Sequence, residues 1–451
     1  MNDTICALAT PAGGAIGIIR VSGDKAIRIT DELFKAKNKK HLSDAKGNTL
    51  HYGEFCDAKQ QPIDEVVVSV YKAPHSYTGE DSTEISCHGS AYILKRVMQA
   101  LIDKGCRSAQ PGEYTQRAYL NGKMDLSQAE AVADLVSASN KASHQLALSQ
   151  IRGHFSNELS QLRDMLLHIT SLLELELDFS DHEELEFADR KELKNLAETI
   201  HQRIATLTKS FETGKAVKEG VPVAIVGKTN VGKSTLLNCL LHEEKAIVSD
   251  IHGTTRDVIE DTTEINGITF RFIDTAGIRR TDNTIEQMGI ERTYMKLNEA
   301  AIILWIVDQT PTKEEFKLMQ SRTEGKQLIM VHNKADLNPP HSRPNPPTDI
   351  AISAKYQQNI QALEQLIFQA AHLPAINENS VILTNARHYE ALTRADEMII
   401  RVIEALNTEI SGDLISEDLR VCLSQLAEIT GGQITPNEVL GNIFKHFCIG
   451  K

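Results

Sequence analysis

The chain lacks the features that mark exported and membrane-spanning proteins. None of its apolar runs reaches the roughly 18 to 20 residues that a helix needs to cross a bilayer. No basic stretch of the kind that begins a secretory signal stands at its start. The seven cysteines are scattered without a C-x-x-C pair, which is typical of reduced thiols rather than of disulfides or a zinc site. We therefore expect a cytoplasmic protein with no membrane partner.

An excess of positive charge is absent as well. The 451 residues include 61 acidic side chains and 48 Lys or Arg side chains, which gives a net charge of −13. This balance disfavours broad, nonspecific binding to a phosphate backbone and leaves only a local basic patch open. The chain is too long for one ordinary core, so two or three domains are expected.

Regular patterns divide the chain into regions of different structure. Short β-rich runs separated by turns predict an α+β domain over residues 1–121. Apolar residues at spacings of three and four predict helices in 122–219, and the same periodicity returns in 376–451. One such set keeps a heptad rhythm: Leu159, Leu162, Leu166, Ile169 and Leu173. Its length of about two heptads favours packing in a helical bundle over a coiled-coil dimer.

Residues 220–375 alternate strand-like and helical runs. The strand-like runs begin at Val223, Ile268, Ala301, Gln327 and Asp349. Such alternation is typical of a doubly wound, mostly parallel sheet with helices on both faces. Because helical regions flank this stretch on both sides, we expect an α/β domain inserted into a discontinuous helical domain.

The first strand-like run leads directly into a phosphate-binding motif. Gly227 to Ser234 reads G-x-x-x-x-G-K-S, and helical residues follow. In this strand, loop and helix setting, backbone N–H groups wrap the phosphates of a nucleotide. Lys233 then reaches the β- and γ-phosphates, and the Ser234 hydroxyl ligates Mg²⁺. The predicted contacts of this loop are Asn230, Val231, Gly232, Lys233, Ser234 and Thr235.

Three more motifs at strand ends identify the nucleotide as GTP. Asp274-Thr275-Ala276-Gly277 places a carboxylate beside the metal and a glycine near the γ-phosphate. In Asn333-Lys334-Ala335-Asp336, the Asp336 carboxylate accepts hydrogen bonds from guanine N1–H and the N2 amino group, and adenine lacks both donors. Ser353-Ala354-Lys355 closes over the base. Because ligands of such sheets bind at these strand ends, we predict a GTPase.

The hydrolytic step leaves two assignments open. Gly253-Thr254-Thr255-Arg256-Asp257 is a candidate switch loop in which one threonine ligates Mg²⁺, and the spacing does not say which. Ile278 stands where small GTPases carry a water-orienting glutamine, and an apolar side chain cannot orient water. Asp282, Glu286 and Glu291 are the acidic candidates for that role.

Together with Thr78-Gly79-Glu80-Asp81, Pro111-Gly112-Glu113-Tyr114-Thr115 and the terminal Cys448-Ile449-Gly450-Lys451, these motifs resemble the MnmE family over essentially the whole chain. That family, also called TrmE, consists of bacterial and organellar GTPases that modify tRNA. The resemblance implies that Thr255 ligates Mg²⁺ and that Glu286 orients the attacking water. It also implies a K⁺ ion that supplies positive charge to the transition state, held by Asn230, Ser249, Ile251 and Thr254. The implied switch-loop contacts with GTP are Ser249, Asp250, Ile251, His252, Gly253, Thr254 and Thr255.

The resemblance further implies a second site and several partners. Arg20, Glu84, Lys123 and Lys451 match residues that bind 5-formyl- or methylene-tetrahydrofolate as a one-carbon donor, in a domain that also forms a homodimer. The family works with the FAD-dependent partner MnmG, also called GidA, in a heterotetramer. The implied product is an aminomethyl or carboxymethylaminomethyl group at C5 of the wobble uridine of certain tRNAs.

The cysteine of the terminal motif has more than one interpretation. The resemblance places Cys448 near the folate as a candidate participant in the chemistry, and the alternative is a buried core thiol. A prenylation box is excluded because Gly450-Lys451 does not fit the required pattern. Thr435-Pro436 predicts a short helix to about Phe447, which leaves Cys448 exposed just past its end.

A second function remains as an alternative, a GTPase switch in ribosome assembly. Relatives of that kind usually carry an RNA-binding module or a second GTPase domain. Neither appears in this chain, and the terminal Cys448-Ile449-Gly450-Lys451 has no evident purpose in such a protein.

Overall fold

The structure is a computed structural model. It describes residues 3–178, 190–241, 261–273, 298–337, 349–377, 379–408, 412–432, 437–445, 447–448 and 450. Two compact units emerge, the first formed by residues 1–137, 148–202 and 391–451, the second by 138–147 and 203–390. Among the described residues, no helix is both long enough and apolar enough to cross a membrane. The finer division into four segments remains a prediction.

The first unit contains a seven-stranded sheet in the order β3-β4-β5-β6-β2-β1-β7. Its strands are β1 Ile5–Leu8, β2 Ile16–Ser22, β3 Phe34–Ala36, β4 Thr49–Cys56, β5 Pro62–Tyr71, β6 Ser82–His88 and β7 Arg107–Ser108. Neighbours are antiparallel except the β1–β7 pair. Alternate side chains such as Val66, Val68 and Val70 are buried against helices α1 (Ala26–Leu33) and α2 (Ala91–Asp103), which cover one face.

Further helices follow along the chain. They are α3 Glu113–Leu120, α4 Leu126–Ser137, α5 Lys141–Ile151, α6 His154–Asp178, α7 Arg190–Lys209, α8 Phe211–Glu219, α9 Lys233–Leu240, α10 Lys313–Arg322, α11 Ile360–Ala370, α12 Ala386–Asn407, α13 Gly412–Thr430 and α14 Asn437–Phe444. Within the first unit, α6 packs against α13. The heptad set from Leu159 to Leu173 is buried inside this single chain, as a helical bundle requires.

The second unit contains a six-stranded sheet in the order β13-β12-β11-β8-β10-β9. Its strands are β8 Val221–Gly227, β9 Asp261–Ile265, β10 Ile268–Phe272, β11 Ile302–Val307, β12 Gln327–His332 and β13 Asp349–Ala351. Every pairing is parallel except that of β9 with β10. Helices α9 and α11 cover one face, and Met319 of α10 packs on the other. The doubly wound sheet predicted from the sequence is confirmed, and its carboxyl edge carries those nucleotide motifs that the structure describes.

Candidate functional site

The phosphate-binding loop joins β8 to α9 in the second unit. Gly227 pairs with Ile306 of β11, and a Cβ at this position would collide with the Ile306 carbonyl oxygen. Gly232 has a φ of +97°, and a Cβ there would collide with the Asn333 amide. Only glycine fits both positions, so the loop keeps the close turns that let backbone N–H groups face phosphate.

The charged group of the loop is the Lys233 ammonium. Its Nζ donates to the carbonyl oxygens of Gly227 at 2.8 Å and Lys228 at 2.6 Å, so the charge lies within the loop. Ser234 follows in the first turn of α9, where the positive end of the helix dipole adds to the lysine charge. A hydroxyl oxygen beside phosphate is a ligand that Mg²⁺ takes in this loop type. The described part of the loop therefore fits a magnesium-bound nucleotide.

Asn333 connects the phosphate loop to the base-recognition segments. Its side chain is 4% exposed. Nδ2 donates to the Val231 carbonyl at 2.8 Å, and Oδ1 accepts from the Ala354 N–H at 3.0 Å. The Cys239 thiol of α9 also contacts the Ala354 carbonyl at 3.1 Å. These bonds fix the positions of the two loops relative to each other, so a nucleotide meets a preformed pocket.

The predicted purine-reading group is Asp336. The Ser353 hydroxyl, which is fully buried, donates to Asp336 Oδ1 at 2.6 Å. The Ala335 N–H donates to the Ile352 carbonyl at 3.0 Å, which ties the aspartate segment to the end of β13. With one carboxylate oxygen oriented by Ser353, the other can accept from a guanine edge. This geometry supports the guanine selectivity predicted from the sequence.

Two ion pairs brace the nucleotide loops. Lys334 Nζ lies 3.0 Å from Asp308 Oδ2 just beyond β11. Lys228 Nζ lies 2.6 Å from Glu315 Oε1 in α10. The hydrogen bond from Lys228 lowers the pKa of Glu315, so this carboxylate is ionised at neutral pH. Both pairs are partly exposed, so they contribute to positioning more than to stability.

A second cluster surrounds Arg20 of β2 in the first unit. Arg20 pairs with Glu84 on the adjacent strand β6 at 2.7 Å, and its guanidinium carbon lies 5.6 Å from the ring centroids of both Tyr77 and Tyr114. The Tyr114 hydroxyl donates to the Arg20 carbonyl at 2.7 Å. Burial raises the pKa of both phenols, which stay protonated at neutral pH. A cavity of about 190 Å³ adjoins the cluster and is lined by Arg20, Tyr71, Tyr77, Thr78, Ser82 and Glu84.

The C-terminal residues reach this cluster. The Gly450 carbonyl accepts from Arg20 Nη1 at 3.2 Å. Gly450 has a φ of +94°, and a Cβ there would lie 2.6 Å from the Leu8 carbonyl oxygen, so a larger residue would displace the chain end. The Gly112 N–H contacts the Cys448 carbonyl at 3.4 Å. Cys448 therefore lies two positions before Gly450 in the chain, and the Gly450 carbonyl oxygen contacts Arg20.

One expectation about the tail needs correction, and the predicted exposure of Cys448 is confirmed. Helix α14 ends at Phe444 rather than near Phe447, because the Phe447 N–H turns back to the Phe444 carbonyl at 3.1 Å. A Cβ on Gly112 would meet both Phe444 and Phe447, so the tail bends where it packs on this glycine. Cys448 is exposed, which contradicts its interpretation as a buried core thiol.

Comparisons with known proteins cover the entire chain. A family model described as "GTP-binding protein TrmE N-terminus" matches residues 4–123, and one described as "MnmE helical domain" matches residues 126–448. Proteins named tRNA modification GTPase MnmE are 57% identical over 466 residues in Bacteroides thetaiotaomicron and 55% over 495 residues in Phocaeicola vulgatus. These alignments include 100% of this chain and 100% and 99% of the relatives. The chain belongs to the MnmE family.

Solved structures resemble a smaller part of this chain. The FeoB G-domain of Methanococcus jannaschii is 24% identical, with a TM-score of 0.25, and covers 34% of this chain. That likeness adds nothing to the family assignment. As an MnmE-family member the chain is a P-loop GTP hydrolase, and the predicted fold class is confirmed: an N-terminal α+β domain, helical regions and a doubly wound GTPase sheet.

The predicted nucleotide contacts of this MnmE-family chain fall into two groups. Those from Asn230 to Thr235, together with Asn333, Lys334, Asp336 and 353–355, meet at the carboxyl edge of β8, β12 and β13. The remaining predicted residues lie outside the described part of the chain: Ser249, Asp250, Ile251, His252, Gly253, Thr254, Thr255, Asp274, Thr275, Ala276, Gly277, Glu286 and Lys451.

The predicted residues of the N-terminal pocket are partly assembled. Arg20 and Glu84 pair directly, as stated above. Lys123 does not line the cavity; its Nζ donates to the Pro74 carbonyl at 2.9 Å, and its side chain lies against Gly79. Tyr77 was not predicted from the sequence, although it directly precedes the Thr78-Gly79-Glu80-Asp81 motif. Tyr114 was also given no role, although its motif was noted.

Proposed function

We propose that this MnmE-family GTPase uses its nucleotide cycle to drive modification at C5 of the wobble uridine of certain tRNAs. One observation carries the proposal: the same chain contains an Asp336 carboxylate oriented by Ser353 at the end of the GTPase sheet and a second pocket around Arg20, which contacts the tail that bears the exposed Cys448. Relatives named tRNA modification GTPases that align from end to end support it. The product would be an aminomethyl or carboxymethylaminomethyl group.

The hydrolytic chemistry would combine two cations with one carboxylate. Mg²⁺ would be held by Ser234 and Thr255, and K⁺ by Asn230, Ser249, Ile251 and Thr254. Asn230 is exposed in the phosphate loop with a φ of +60°, a conformation that asparagine tolerates and in which its amide oxygen can serve a cation. When bound, K⁺ supplies positive charge to the developing phosphate transition state. Glu286 would orient the attacking water.

Replacing Na⁺ by K⁺ is expected to raise the GTP hydrolysis rate by at least about tenfold, because the bound K⁺ adds one favourable charge contact in the transition state. Asn230→Gly keeps the left-handed backbone and removes the amide, so the stimulation should disappear while GDP affinity persists. Thr229→Ala, at the preceding exposed position, is the matched control and should keep the stimulation. Equal rates in the two salts would reject the potassium site.

The N-terminal pocket would take a tetrahydrofolate, 5-formyl or methylene, as one-carbon donor. The Glu84 carboxylate and the Arg20 guanidinium offer acceptors and donors to a planar, hydrogen-bonding heterocycle, and Tyr77 offers an aromatic wall. A cavity of about 190 Å³ encloses part of such a molecule. Lys123 and Lys451 would then meet its carboxylates. Cys448 would take part in the chemistry at the exposed rim.

Several partners accompany this function. A second copy of the chain would cover the open face of the N-terminal sheet, where Leu50 is 71% exposed and Tyr52 is 52% exposed. The FAD-dependent protein MnmG would complete a heterotetramer and supply the redox step. The free cysteines and a tRNA substrate fit a cytoplasmic location.

Nucleoside analysis of tRNA tests the proposal. Cells without this protein should lose the C5-modified wobble uridine, and the wild-type gene should restore it. Cys448→Ser should fail to restore it although the purified variant hydrolyses GTP normally. Fully modified tRNA in the deleted cells would reject the function and would return attention to ribosome assembly.

A further inference from the structure

A loop on the first unit gathers exposed lysines without carboxylate partners. We propose that this basic loop, residues 38–48 between β3 and β4, holds the phosphate backbone of the RNA substrate beside the Arg20 cavity. Its cations are Lys39, Lys40 and Lys46, and its one acid is Asp44. The inference rests on the proposed function, which makes tRNA the polyanion, and adds the surface that engages it.

The lysine charges of the basic loop are available. Lys39, Lys40 and Lys46 are exposed, and none forms an ion pair within the described part of the chain. Lys37, directly before the loop, differs because its Nζ lies 2.8 Å from Glu65 Oε1. An unpaired ammonium gives up no local partner when it meets phosphate, and its binding releases counterions from the RNA. The basic loop is thus a local basic patch on a chain whose net charge is −13.

The backbone of the basic loop is fixed by contacts with helix α1. Leu42 is fully buried, and its N–H donates to Asp31 Oδ1 at 2.7 Å. The Ser43 hydroxyl donates to Asp31 Oδ2 at 3.0 Å. Lys39 and Asn48 hold φ values of +58° and +61°, which turn the chain at both ends. Because the loop is already ordered, binding costs less conformational entropy.

Contacts with β5 place the basic loop beside the Arg20 cavity. The Asn48 N–H donates to the Val70 carbonyl at 2.7 Å. Lys72 Nζ contacts the Ser43 carbonyl at 3.5 Å and adds a fourth cation to the loop. Lys72 directly follows Tyr71, which lines the cavity. RNA held by the basic loop would therefore have its bases next to the proposed one-carbon site.

The composition of the loop favours nucleic acid over a lipid surface. Its large apolar side chain, Leu42, is turned into the core, so no apolar group remains to enter a bilayer. Contacts between lysine and phosphate position a nucleic acid without reading its bases. This suits a protein whose substrates share a wobble uridine but differ in sequence.

Salt-dependent binding of tRNA to the full-length protein tests the inference. Removing three phosphate contacts in K39Q/K40Q/K46Q should lower the slope of log affinity against log salt by about 2 to 3. The fall in affinity over a fourfold rise in salt should then be about 30-fold smaller than in the wild type. The charge-preserving K39R/K40R/K46R should retain the wild-type slope. Far-UV circular dichroism and GTP hydrolysis should be unchanged in both variants, which shows that both units fold.

A matched control removes three exposed lysines elsewhere on the same unit. K25Q/K59Q/K95Q changes the net charge equally, and its lysines form no ion pairs among the described residues. It should keep the wild-type slope. The inference would be overturned by a wild-type slope in K39Q/K40Q/K46Q or by a wild-type protein that does not bind tRNA. It would also be overturned if K39Q/K40Q/K46Q lost binding to phosphatidylserine vesicles but not to tRNA. Nucleoside analysis of deleted cells decides the proposed function separately.

Discussion

Asp336→Asn is expected to shift the purine preference of this GTPase from guanosine to xanthosine nucleotides. Because Ser353 holds Oδ1 at 2.6 Å, the remaining carboxylate oxygen faces the base with a set orientation. An asparagine places a donor where guanine also donates, and xanthine carries a carbonyl there instead of the amino group. Losing a charge-assisted bond costs about 1.5 to 3 kcal/mol, and an unpaired buried donor costs about 1 to 3 more. GDP affinity should therefore fall at least about 60-fold.

Titration calorimetry with GDP, XDP and ADP in the presence of Mg²⁺ measures this shift. Asp308→Asn is the matched control, because Asp308 contacts the Lys334 ammonium and has no predicted contact with a base edge. It should weaken binding of guanine and xanthine nucleotides alike and leave their ratio unchanged. Retained preference for GDP in Asp336→Asn would remove the base-recognition argument.

The strands around this site were predictable because interior parallel strands are continuous apolar runs. All six residues of β11 are buried, and its predicted start at Ala301 is one residue before the observed start at Ile302. Strand β9 was missed for the opposite reason. Asp261–Ile265 lies at the sheet edge, its first four side chains alternate between half-exposed and exposed, and Ile265 alone is buried, so the strand offers no apolar run.

The phosphate loop and the Arg20 cluster also differ in how far the sequence could predict them. The phosphate loop is eight consecutive residues with one chemical requirement, so its motif alone located it. The Arg20 cluster joins Arg20 to Tyr114, 94 positions later, and to Gly450, 430 positions later. That proximity follows from the strand order of the sheet and from the docked tail. Local sequence patterns define neither.

Local sequence patterns also did not predict a buried charge network around Arg117 of α3. Arg117 is 1% exposed. Its Nη2 donates to Asp3 Oδ1 at 2.7 Å and to Glu113 Oε1 at 3.0 Å, and its Nη1 donates to Glu80 at 3.2 Å. Glu113 also pairs with Arg107 at 2.6 Å. The network joins the start of β1 and α3 to the 78–81 segment, whose first residue lines the Arg20 cavity.

Arg117→Met is expected to destabilise the first unit by about 3 kcal/mol. Breaking a buried ion pair from one side costs roughly 3 to 5 kcal/mol, because the remaining charges lose their compensation. The lower end of this range applies because Glu113 keeps its ion pair with Arg107. Glu80 also keeps its hydrogen bond from the Ser22 hydroxyl at 2.8 Å. Arg28→Met is the control, since the Arg28 side chain is 74% exposed beside Glu32 and should cost under about 1 kcal/mol. Urea unfolding followed by far-UV circular dichroism measures both, and the single tryptophan, Trp305, follows the second unit separately.

Lowering the pH distinguishes the loss of charge interactions from the loss of packing in Arg117→Met. Burial alone would raise the pKa of Glu113, but hydrogen bonds from Arg107, the Gln110 N–H and Arg117 outweigh it and lower the pKa. The hydrogen bond from Arg107 likewise lowers the pKa of Asp3. Carboxyls with lowered pKa stabilise the fold above their unfolded pKa of about 4, and this stabilisation is lost as pH falls through the native pKa. The difference between wild type and Arg117→Met should therefore narrow below about pH 4, and a constant difference would assign the loss to packing.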